Sequence, residues 1–496
     1  MTTATSAARR GPVLTGMRDG VRILRGPDAV LWWARFAVDP VGYLIRYHRR
    51  HGALSALGNV HPFGRGERLH AVALAPEHNQ EVLSNPDLFR SSGLLIAGPR
   101  KSAQRRVRYG LIRMNGPKHR RQRELLMPLF QKPAVEAYSP DIGALVGQML
   151  DEWPTDGVLD VNDEVHKLSL RVSARILFGR EDPSRADGLG NMIRQWMHLG
   201  YEAWKFPVNL PGTPYYRLMR HAARMERAIL EMVEEKRADS ATRTDVLSIL
   251  IRAHSAAHAA FSDIDLKRYE EYGQLTDMDL VGQSTVLFAA SFETNATALS
   301  WTLFLLAQHP QVMHDLLDEL QSVLAGRAPT PAEYDRLPLL DAVIKESMRI
   351  IPVVPITTRV ATAPARVGSL ELSKGDRVHL SHYITHHLPA IYRDPECFRP
   401  ERWFEIRPGP YEYFPFSAGP RMCIGYWFAM VTLKTALAMI LQRFRLSVVP
   451  GARIDRKNQV TMVPKRGMPM SIHLQDRRFE AAPVRGNVHD MVRLPR

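Results

Sequence analysis

The chain has 496 residues, a formal net charge of +15 and two cysteines, and 45% of its residues are apolar. Two cysteines cannot build a disulfide framework, so a reducing, cytoplasmic location is expected. The longest N-terminal apolar stretch, residues 29–38, contains Arg35 and is far shorter than the roughly 20 residues that a membrane span requires. Neither a transmembrane segment nor a secretory signal is therefore expected.

The two ends of the chain lack sustained periodicity. Residues 1–30 and 476–496 are rich in arginine, proline and small residues, which predicts flexible arms on either side of a single domain at 31–475. Between the arms, long helical patterns alternate with short strand-like runs, among them residues 70–74 and 377–380. These patterns indicate a mainly α-helical protein with small β-sheets.

Positive charge is densest between Arg100 and Arg123. A solvated face, a nucleic-acid site and a docking patch for an acidic protein are three explanations of such a patch. No nucleic-acid-binding signature accompanies it, so nucleic acid is not an expected partner. A helix is predicted to begin near Pro117, and it places His119 and Arg123 on one face.

The longest predicted helix covers residues 276–308. It begins with a sequence that is typical of a capping box, and Pro310 stops it because the residue before a proline is pushed out of the α region. About 32 residues at about 1.5 Å each give a length of roughly 48 Å. The middle of this helix, residues 286–292, is apolar nearly all round, which predicts that the helix runs through the core.

Two more helices are predicted at residues 310–326 and 338–351, each opened by a proline. In the second of them, Glu346 and Arg349 are three residues apart, so they share a face and can pair. A single Glu-x-x-Arg pattern is common in a chain of this size. Its order relative to other motifs is what makes it informative.

The most specific pattern is residues 416–425, Phe-Ser-Ala-Gly-Pro-Arg-Met-Cys-Ile-Gly. Cys423 precedes an apolar run that is predicted to be helical through Arg443, and a helix N-terminus favours a thiolate placed before it. Gly419 and Gly425 permit positive φ angles or a close approach that a side chain would prevent. The alternative is that Cys423 is a small buried apolar residue, the ordinary state of a free cysteine.

This loop resembles the haem-thiolate loop of the cytochrome P450 monooxygenases, whose cysteine is the axial ligand of haem iron and favours O–O cleavage. The resemblance spans roughly residues 36–474. It implies the cytochrome P450 fold, a triangular α-helical body with a long central helix over a haem b cofactor and a minor β region. It also implies that Cys423 binds the iron, within a loop whose other family positions are Phe416, Gly419, Arg421 and Gly425.

The same resemblance gives roles to side chains upstream of the loop. It implies that the haem propionates are bound by His119, Arg123 and Arg359. It also implies a buried ion network that holds the cysteine loop and takes no part in the reaction, formed by Glu346, Arg349 and Arg402. The last of these lies in a Pro-Glu-Arg-Trp segment, in the order that the family shows.

Residues 290–294, Ala-Ser-Phe-Glu-Thr, resemble the family's oxygen-activation motif. Glu293 and Thr294 are therefore expected to deliver protons. Ser291 replaces the family's usual glycine, so the shape of the groove and the position of water beside it are open. Ser291 itself is a candidate to hold a catalytic water.

The segments that line the substrate pocket in the family are the least specific part of the resemblance. Their apolar side chains predict a lipophilic substrate, but they do not rank steroids, terpenes, fatty acids and polyketides. The candidate pocket residues are Leu94, Leu95, Ile96, Phe288, Val354 and Met462.

The resemblance implies an enzyme that uses O2 to hydroxylate or epoxidise a lipophilic substrate. The chain carries no flavin or iron–sulfur signature, so electrons are expected from a separate ferredoxin or flavodoxin with its NAD(P)H reductase. Arg120, Arg121 and Lys434 are the candidate docking cations. One alternative is an enzyme that uses peroxide or rearranges a hydroperoxide, against which the acid–threonine pair argues. The other alternative is a haem-based ligand or gas sensor.

Overall fold

The computed structural model describes most of the chain, namely residues 16–18, 21–24, 27–58, 68–93, 95–179, 183–238, 245–255 and 277–495. It contains two compact units. Unit 1 consists of Met1–Ser92, Val354–Arg393 and Pro408–Met422, and unit 2 consists of Gly93–Val353, Asp394–Arg407 and Cys423–Arg496. The sequence predicts one domain because no linker composition marks these boundaries. Each unit is assembled from segments that are distant along the chain.

Helices make up most of unit 2, and unit 1 contains both helices and sheet strands. In chain order they are α1 Pro27–Val38, α2 Pro40–His51, α3 Pro76–Leu83, α4 Ala103–Val107, α5 Gly116–Leu126, α6 Lys132–Glu136, α7 Ser139–Asp151, α8 Val161–Phe178, α9 Pro183–Lys205, α10 Pro214–Arg237, α11 Val246–Ser255, α12 Asp277–Ala307, α13 Pro310–Leu324, α14 Pro338–Ile350, α15 His382–Thr385, α16 Arg402–Glu405 and α17 Tyr426–Arg443.

The strands are short. In chain order they are β1 Gly16–Arg18, β2 Val21–Leu24, β3 Leu54–Gly58, β4 Leu69–Ala73, β5 Phe89–Ser91, β6 Asp156–Asp160, β7 Ile356–Ala361, β8 Ala365–Val367, β9 Leu370–Leu372, β10 Arg377–Ser381, β11 Phe444–Val448, β12 Arg456–Asn458, β13 Met462–Pro464 and β14 Pro469–Leu474.

Unit 1 is organised around a seven-stranded sheet of order β1-β2-β3-β4-β10-β7-β5. The two strands predicted from the sequence, β4 and β10, are confirmed, and they pair in parallel although about 300 residues separate them. Its core contains Phe89, Val378 and Phe414, so the segment that leads into the cysteine loop packs with the sheet residues. Apolar burial of this kind is the main favourable term that holds the segment in place.

The helices predicted in unit 2 are confirmed with small shifts at their ends. The expected start near Pro117 corresponds to α5, and prolines open α10, α13 and α14, where the missing N–H has no partner to lose. The expected helix at 276–308 is α12, with 31 residues described. Thr276, the start of its predicted capping box, lies outside the described residues.

The long helix α12 is buried along almost its whole length, as its apolar composition predicts. Every residue from Asp279 to Leu306 is buried except Ala290, Ser291 and Thr294, which are half-exposed. Residues at positions i, i+1 and i+4 share one face of a helix. A buried helix therefore presents one short open strip, and the strip contains two polar residues of the predicted oxygen-activation motif.

The C-terminal residues are packed within unit 2, whereas the sequence predicts a flexible arm after residue 475. Val488, Met491 and Val492 are buried, and the Arg493 N–H donates to the Glu396 carbonyl at 2.7 Å. These apolar residues are too few and too scattered to produce a periodic signal in the sequence. Most of the arm predicted at residues 1–30 lies outside the described residues.

None of the helices in the described part of the chain combines the length and the apolar character that crossing a membrane requires.

Candidate active site

Cys423 lies three residues before α17, where the chain enters the helix. Its side chain is exposed, yet the surrounding protein removes enough water to raise the pKa of the thiol. A hydrogen bond from the Gly425 backbone N–H and the positive charge of Arg123 oppose that rise. Solvent thus reaches the sulfur, while nearby protein atoms disfavour the thiolate form of Cys423 when no metal ion is bound to it. A bound metal ion reverses this balance, because a coordinating thiol is deprotonated outright.

The two glycines of the loop act differently. Gly419, in unit 1, has φ +68° and a Cβ there would lie 2.5 Å from the Leu83 carbonyl oxygen, so only glycine fits. Gly425, in unit 2, has an ordinary φ of −86° and serves as the residue before α17. Its contribution is the N–H that faces the sulfur. Phe416 and Arg421 are half-buried in unit 1.

Helix α5 brings a second predicted cofactor ligand to the cysteine. Arg123 lies close enough to Cys423 for their charges to interact, and burial lowers the pKa of its guanidinium while the thiolate opposes that change. His119 is one helical turn earlier on the same face and is buried. Unit 2 therefore places a guanidinium near the thiol, and the helix that carries it has a buried imidazole one turn earlier.

Arg359 lies on β7 in unit 1 and is 8% exposed. Its guanidinium donates to the Thr358 carbonyl at 3.2 Å and contacts Thr357 Oγ1 at 3.5 Å, and burial lowers its pKa to about 10. Within the described ranges no carboxylate forms an ion pair with it. Burial and the Arg359 charge together lower the pKa of His382 to about 3. A buried guanidinium in this state fits an anionic group such as a haem propionate.

The structure brings Glu346, Arg349 and Arg402 together in unit 2. Arg349 donates to both carboxylate oxygens of Glu346, at 2.8 and 2.9 Å, and Arg402 donates from Nε at 2.9 Å. The three side chains are at most 3% exposed. Both arginines also donate to the Cys397 carbonyl, at 3.3 and 3.1 Å. The network therefore fixes the backbone at Cys397. The single negative charge of Glu346 balances one of the two positive charges of Arg349 and Arg402.

Sequence analysis does not identify two further donors to Glu346. Trp403 Nε1 donates to Oε2 at 3.0 Å, and the Arg399 backbone N–H donates to Oε1 at 2.9 Å. Trp403 follows Arg402 in the Pro-Glu-Arg-Trp segment, so its position in that segment is the signal that could have suggested it. The carboxylate is satisfied on both oxygens, which a buried anion requires.

The open strip of α12 carries hydroxyl groups that are held by hydrogen bonds. Thr294 Oγ1 donates to the Ala290 carbonyl at 2.6 Å, a bond that competes with the helix ladder and tends to bend the helix locally. Ser291 Oγ lies 2.8 Å from Ser173 Oγ on α8 and 2.9 Å from the Phe288 carbonyl. The residue in place of the family's glycine thus ties α12 to α8.

Glu293 faces away from this strip. It is 8% exposed, accepts a hydrogen bond from Thr461 Oγ1 at 3.3 Å, and lies 3.6 Å from His166 Nε2. The acid and the threonine predicted to work as a pair therefore have different immediate neighbours. Neither His166 nor Thr461 is singled out by the sequence, because no motif links α8 to the turn before β13.

The predicted pocket residues divide into two groups by their burial, and two of them are packed in the core. Phe288 is fully buried and stacks on Phe178 of α8 with ring centroids 5.2 Å apart. Met462 is also fully buried, and its carbonyl accepts a hydrogen bond from the Trp301 indole at 2.6 Å. Both are core residues, because their positions direct them toward packed neighbours.

The other pocket candidates remain predictions. Leu95 is 9% exposed and its side chain lies against Gly200 of α9, while Ile96 and Val354 are half-buried. Leu94 lies outside the described residues. The three described candidates are all aliphatic.

Lys434 is unsuitable as a docking cation, contrary to the sequence prediction. It is buried on α17, forms an ion pair with Asp341 at 2.9 Å and donates to the Tyr334 carbonyl at 3.3 Å. A charge that is committed to an internal carboxylate adds little to a surface field. Arg120 and Arg121 are exposed on α5, the helix that also carries Arg123.

The chain is similar to known proteins over most of its length. A model of the cytochrome P450 family matches residues 44–470. The cyclooctat-9-en-7-ol 5-monooxygenase of Streptomyces melanosporofaciens is 29% identical over 459 residues, covering 91% of this chain and 93% of that protein. The pentalenene oxygenase of Streptomyces avermitilis is 28% identical over 434 residues, covering 84% and 92%.

Solved structures show the same fold. The retinoic acid-bound cyanobacterial CYP120A1 superposes with a TM-score of 0.75 at 21% identity, covering 89% of this chain and 96% of that one. The mainly helical fold with small sheets is therefore the cytochrome P450 fold. Together with the family match across most of its length, this identifies the chain as a member of the cytochrome P450 family of haem-thiolate monooxygenases.

Proposed function

We propose that this monooxygenase oxidises a cyclic, lipophilic alkene or alcohol with O2 and with electrons from a separate acidic redox protein. The observation that carries the use of O2 is the open strip of α12. In a helix that is otherwise buried from Asp279 to Leu306, the only half-exposed residues are Ala290, Ser291 and Thr294. Such a strip offers hydroxyl groups to a bound reactant and keeps bulk water away from the rest of the helix.

A haem b held by Cys423 would supply an iron that binds and reduces O2. The protein's own residues hold and orient that group. Cys423 would hold the iron through its thiolate, whose charge the Gly425 N–H and Arg123 support. His119, Arg123 and Arg359 are the proposed partners of the propionates, since each charge-assisted hydrogen bond to a buried carboxylate contributes about 1.5–3 kcal/mol.

We assign proton handling to Thr294 and Glu293. Thr294 lies on the open strip and can hold a proton or a water at its hydroxyl, whereas Glu293 lies on the buried side as the acid that resupplies it. General acid–base groups of this kind contribute about 10²–10⁴-fold to a rate. This arrangement favours O2 over peroxide as the oxidant. Peroxide already contains the two electrons and two protons that O2 must acquire, so an enzyme that uses peroxide does not need side chains that deliver protons.

Replacing Thr294 with alanine should uncouple electron transfer from product formation. We expect reductant and O2 consumption to continue while product per electron pair falls by about tenfold or more, and peroxide-driven turnover to change little. The matched control is Thr285→Ala, since Thr285 makes the same type of bond, to the Val281 carbonyl at 2.9 Å, on the buried side of α12. Equal product yields in the two variants would contradict the assignment. Turnover with peroxide but none with O2 and reductant would instead support the peroxide-using alternative.

The proposed redox partner is an acidic ferredoxin or flavodoxin with its NAD(P)H reductase. Arg120 and Arg121 are exposed on the helix that places Arg123 beside the cysteine, so a docked acidic protein would lie close to the iron ligand. The cytoplasmic location predicted from the cysteine usage would provide the NAD(P)H. Charge complementarity of this kind acts mainly on association and is screened by salt.

Reversing both charges, Arg120→Glu with Arg121→Glu, should slow turnover at limiting partner by about tenfold at low ionic strength. Raising the salt concentration should slow turnover by the unaltered enzyme and reduce the difference in turnover rate between it and the double variant. The control is the reversal of Lys465 and Arg466, an adjacent exposed pair between β13 and β14. If that pair has the same effect, or if turnover is insensitive to salt, docking on α5 is wrong.

The substrate class is proposed from the aliphatic character of Leu95, Ile96 and Val354 and from the relatives. By their names, two of those relatives act on an alkenol and on an alkene, cyclooctat-9-en-7-ol and pentalenene. Titrating the ferric haem protein with cyclic terpenoids and with fatty acids should show spectral displacement of an iron-bound water by the terpenoids at lower concentration. Preference for fatty acids would overturn this class. Tight binding without turnover under any donor would indicate a sensor.

A further inference from the structure

Three side chains from separate elements of unit 2 meet on the buried side of α12. They are His166 from α8, Glu293 from α12 and Thr461 from the turn between β12 and β13. The side chains of His166 and Glu293 are 13% and 10% exposed, so both lie largely out of solvent. Thr461 is 2% exposed and occupies the other carboxylate oxygen of Glu293.

The hydrogen bond on the far side of the ring fixes which nitrogen of His166 titrates. His166 Nδ1 lies 2.7 Å from the Asn162 carbonyl oxygen, one turn earlier on α8. A carbonyl oxygen only accepts, so Nδ1 must carry a hydrogen. Nε2 is then the nitrogen that gains or loses a proton, and it is the one that faces Glu293 Oε2 at 3.6 Å.

Three groups set the charge of His166. Burial by itself lowers the pKa of the ring, but the Glu293 carboxylate and the Asn162 carbonyl outweigh it, and the pKa lies above its ordinary value. Arg194 on α9 is a facing charge that lowers it. Thr461 and Ser300 contribute only hydroxyl groups to this cluster, the second through Asn162 Oδ1 at 3.2 Å.

We propose that His166 is a positioning residue that holds Glu293 as its ion-pair partner and resupplies it with protons from the α8 side. This inference rests on the proposed role of Glu293 in proton delivery. When Glu293 is a carboxylate, the Nε2–H bond of His166 breaks, an O–H bond forms at Oε2, and the ring becomes neutral. A proton from the solvent then returns to Nε2, which the 13% exposure of the His166 side chain permits, so no oxidant or reductant is required.

The 3.6 Å separation describes an ion pair before transfer. Direct transfer requires a hydrogen-bond distance of about 2.8 Å, so the pair must close by somewhat less than 1 Å. A small rotation of the glutamate side chain provides that closure, and the Thr461 hydroxyl remains the fixed point for the other oxygen. The proton path therefore approaches the open strip of α12 from inside the protein rather than from the substrate side.

The pH dependence follows from the direction of the shift. A histidine whose folded-state pKa is raised contributes stability that is fully present below the unfolded pKa and is lost as the pH rises through the folded pKa. The same deprotonation removes the proton supply of Glu293. The unaltered enzyme should therefore lose product per electron pair as the pH rises through the raised pKa of His166.

The test compares His166→Gln, His166→Lys and the control His198→Gln, a histidine exposed on α9. His166→Gln should lower product per electron pair by about tenfold at neutral pH and remove the alkaline limb. His166→Lys keeps the positive charge, so its haem content and thermal stability should match those of the unaltered enzyme. Its product per electron pair should not change with pH near neutrality, because lysine does not titrate there. A pH profile of His166→Gln that matches that of the unaltered enzyme would overturn the proposal, even if the variant is less stable.

A measurement without turnover separates this inference from the proposed function. NMR titration of the histidine rings should show a raised pKa for His166 that falls in Glu293→Gln, and an unchanged pKa there would overturn the pairing. If the unaltered enzyme makes no product while the pKa falls in Glu293→Gln, the monooxygenase proposal fails and the ion pair stands. The haem content of each variant is measured in the same samples.

Discussion

Replacing Cys423 with alanine should abolish the thiolate-type CO difference spectrum of the reduced haem protein and reduce product formation to background. The physical reason is that no other side chain can supply the anionic sulfur that pushes electron density onto the iron. Part of the haem should still bind, because His119, Arg123 and Arg359 are unchanged. Absorption spectra of the reduced, CO-treated protein and the bound haem per chain are the measurements.

Cys397 is the matched control for that substitution. It is the other free cysteine of the chain, is only half-buried, and contributes its carbonyl rather than its sulfur to the Arg349 and Arg402 bonds. Cys397→Ala should therefore retain the thiolate spectrum and the activity. If the thiolate spectrum persists in Cys423→Ala and is absent in Cys397→Ala, the iron ligand is Cys397 and the assignment of Cys423 is wrong.

The second large effect is expected at Glu346. Glu346→Gln keeps the size of the side chain but leaves Arg349 and Arg402 buried without their anion. Removing one partner of a buried ion network costs about 3–5 kcal/mol, because the remaining charges stay out of water. We expect the free energy of unfolding to fall by that amount in denaturant titration, together with a loss of bound haem.

Glu401→Gln tests whether this loss is specific. Glu401 is exposed and precedes Arg402 directly in the chain, so the substitution removes the same type of charge from a residue next to the network. An exposed carboxylate typically changes stability by less than about 0.5 kcal/mol. Equal losses in the two variants would contradict the network as the source of the stability.

Local signals predict the elements that position the site. Prolines open α13 and α14 because the first turn of a helix needs no N–H from them, and the continuous apolar middle of α12 predicts its burial. Residues three apart on one helix must share a face, so Glu346 and Arg349 can be paired without a structure. The cysteine loop is likewise contained within ten consecutive residues.

Contacts between distant segments are what sequence reasoning misses. His166 meets Glu293 across more than a hundred residues, and Thr461 comes from still further along the chain. The sequence predicts that Lys434 is a surface cation, whereas the structure pairs it with Asp341. In each case the charge or hydroxyl is visible in the sequence, but its partner depends on tertiary packing.

Apolar composition also fails to separate core from cavity. Phe288 and Thr294 lie on the same helix, yet one stacks in the interior and the other lies on the open strip. Helical periodicity places them on different faces but does not say which face meets a neighbour. The packing of α8 against α12 decides it, because Phe178 and Ser173 cover the Phe288 side and the edge at Ser291.

Turnover under ¹⁸O-labelled O2, with an acidic ferredoxin, its reductase and a cyclic terpenoid that perturbs the haem spectrum, tests most directly whether this enzyme inserts oxygen from O2. We expect a product that contains one labelled oxygen atom, formed only when electrons are supplied, and no product from the Cys423→Ala variant. An unlabelled product, or a product formed from peroxide but not from O2 and reductant, would contradict it.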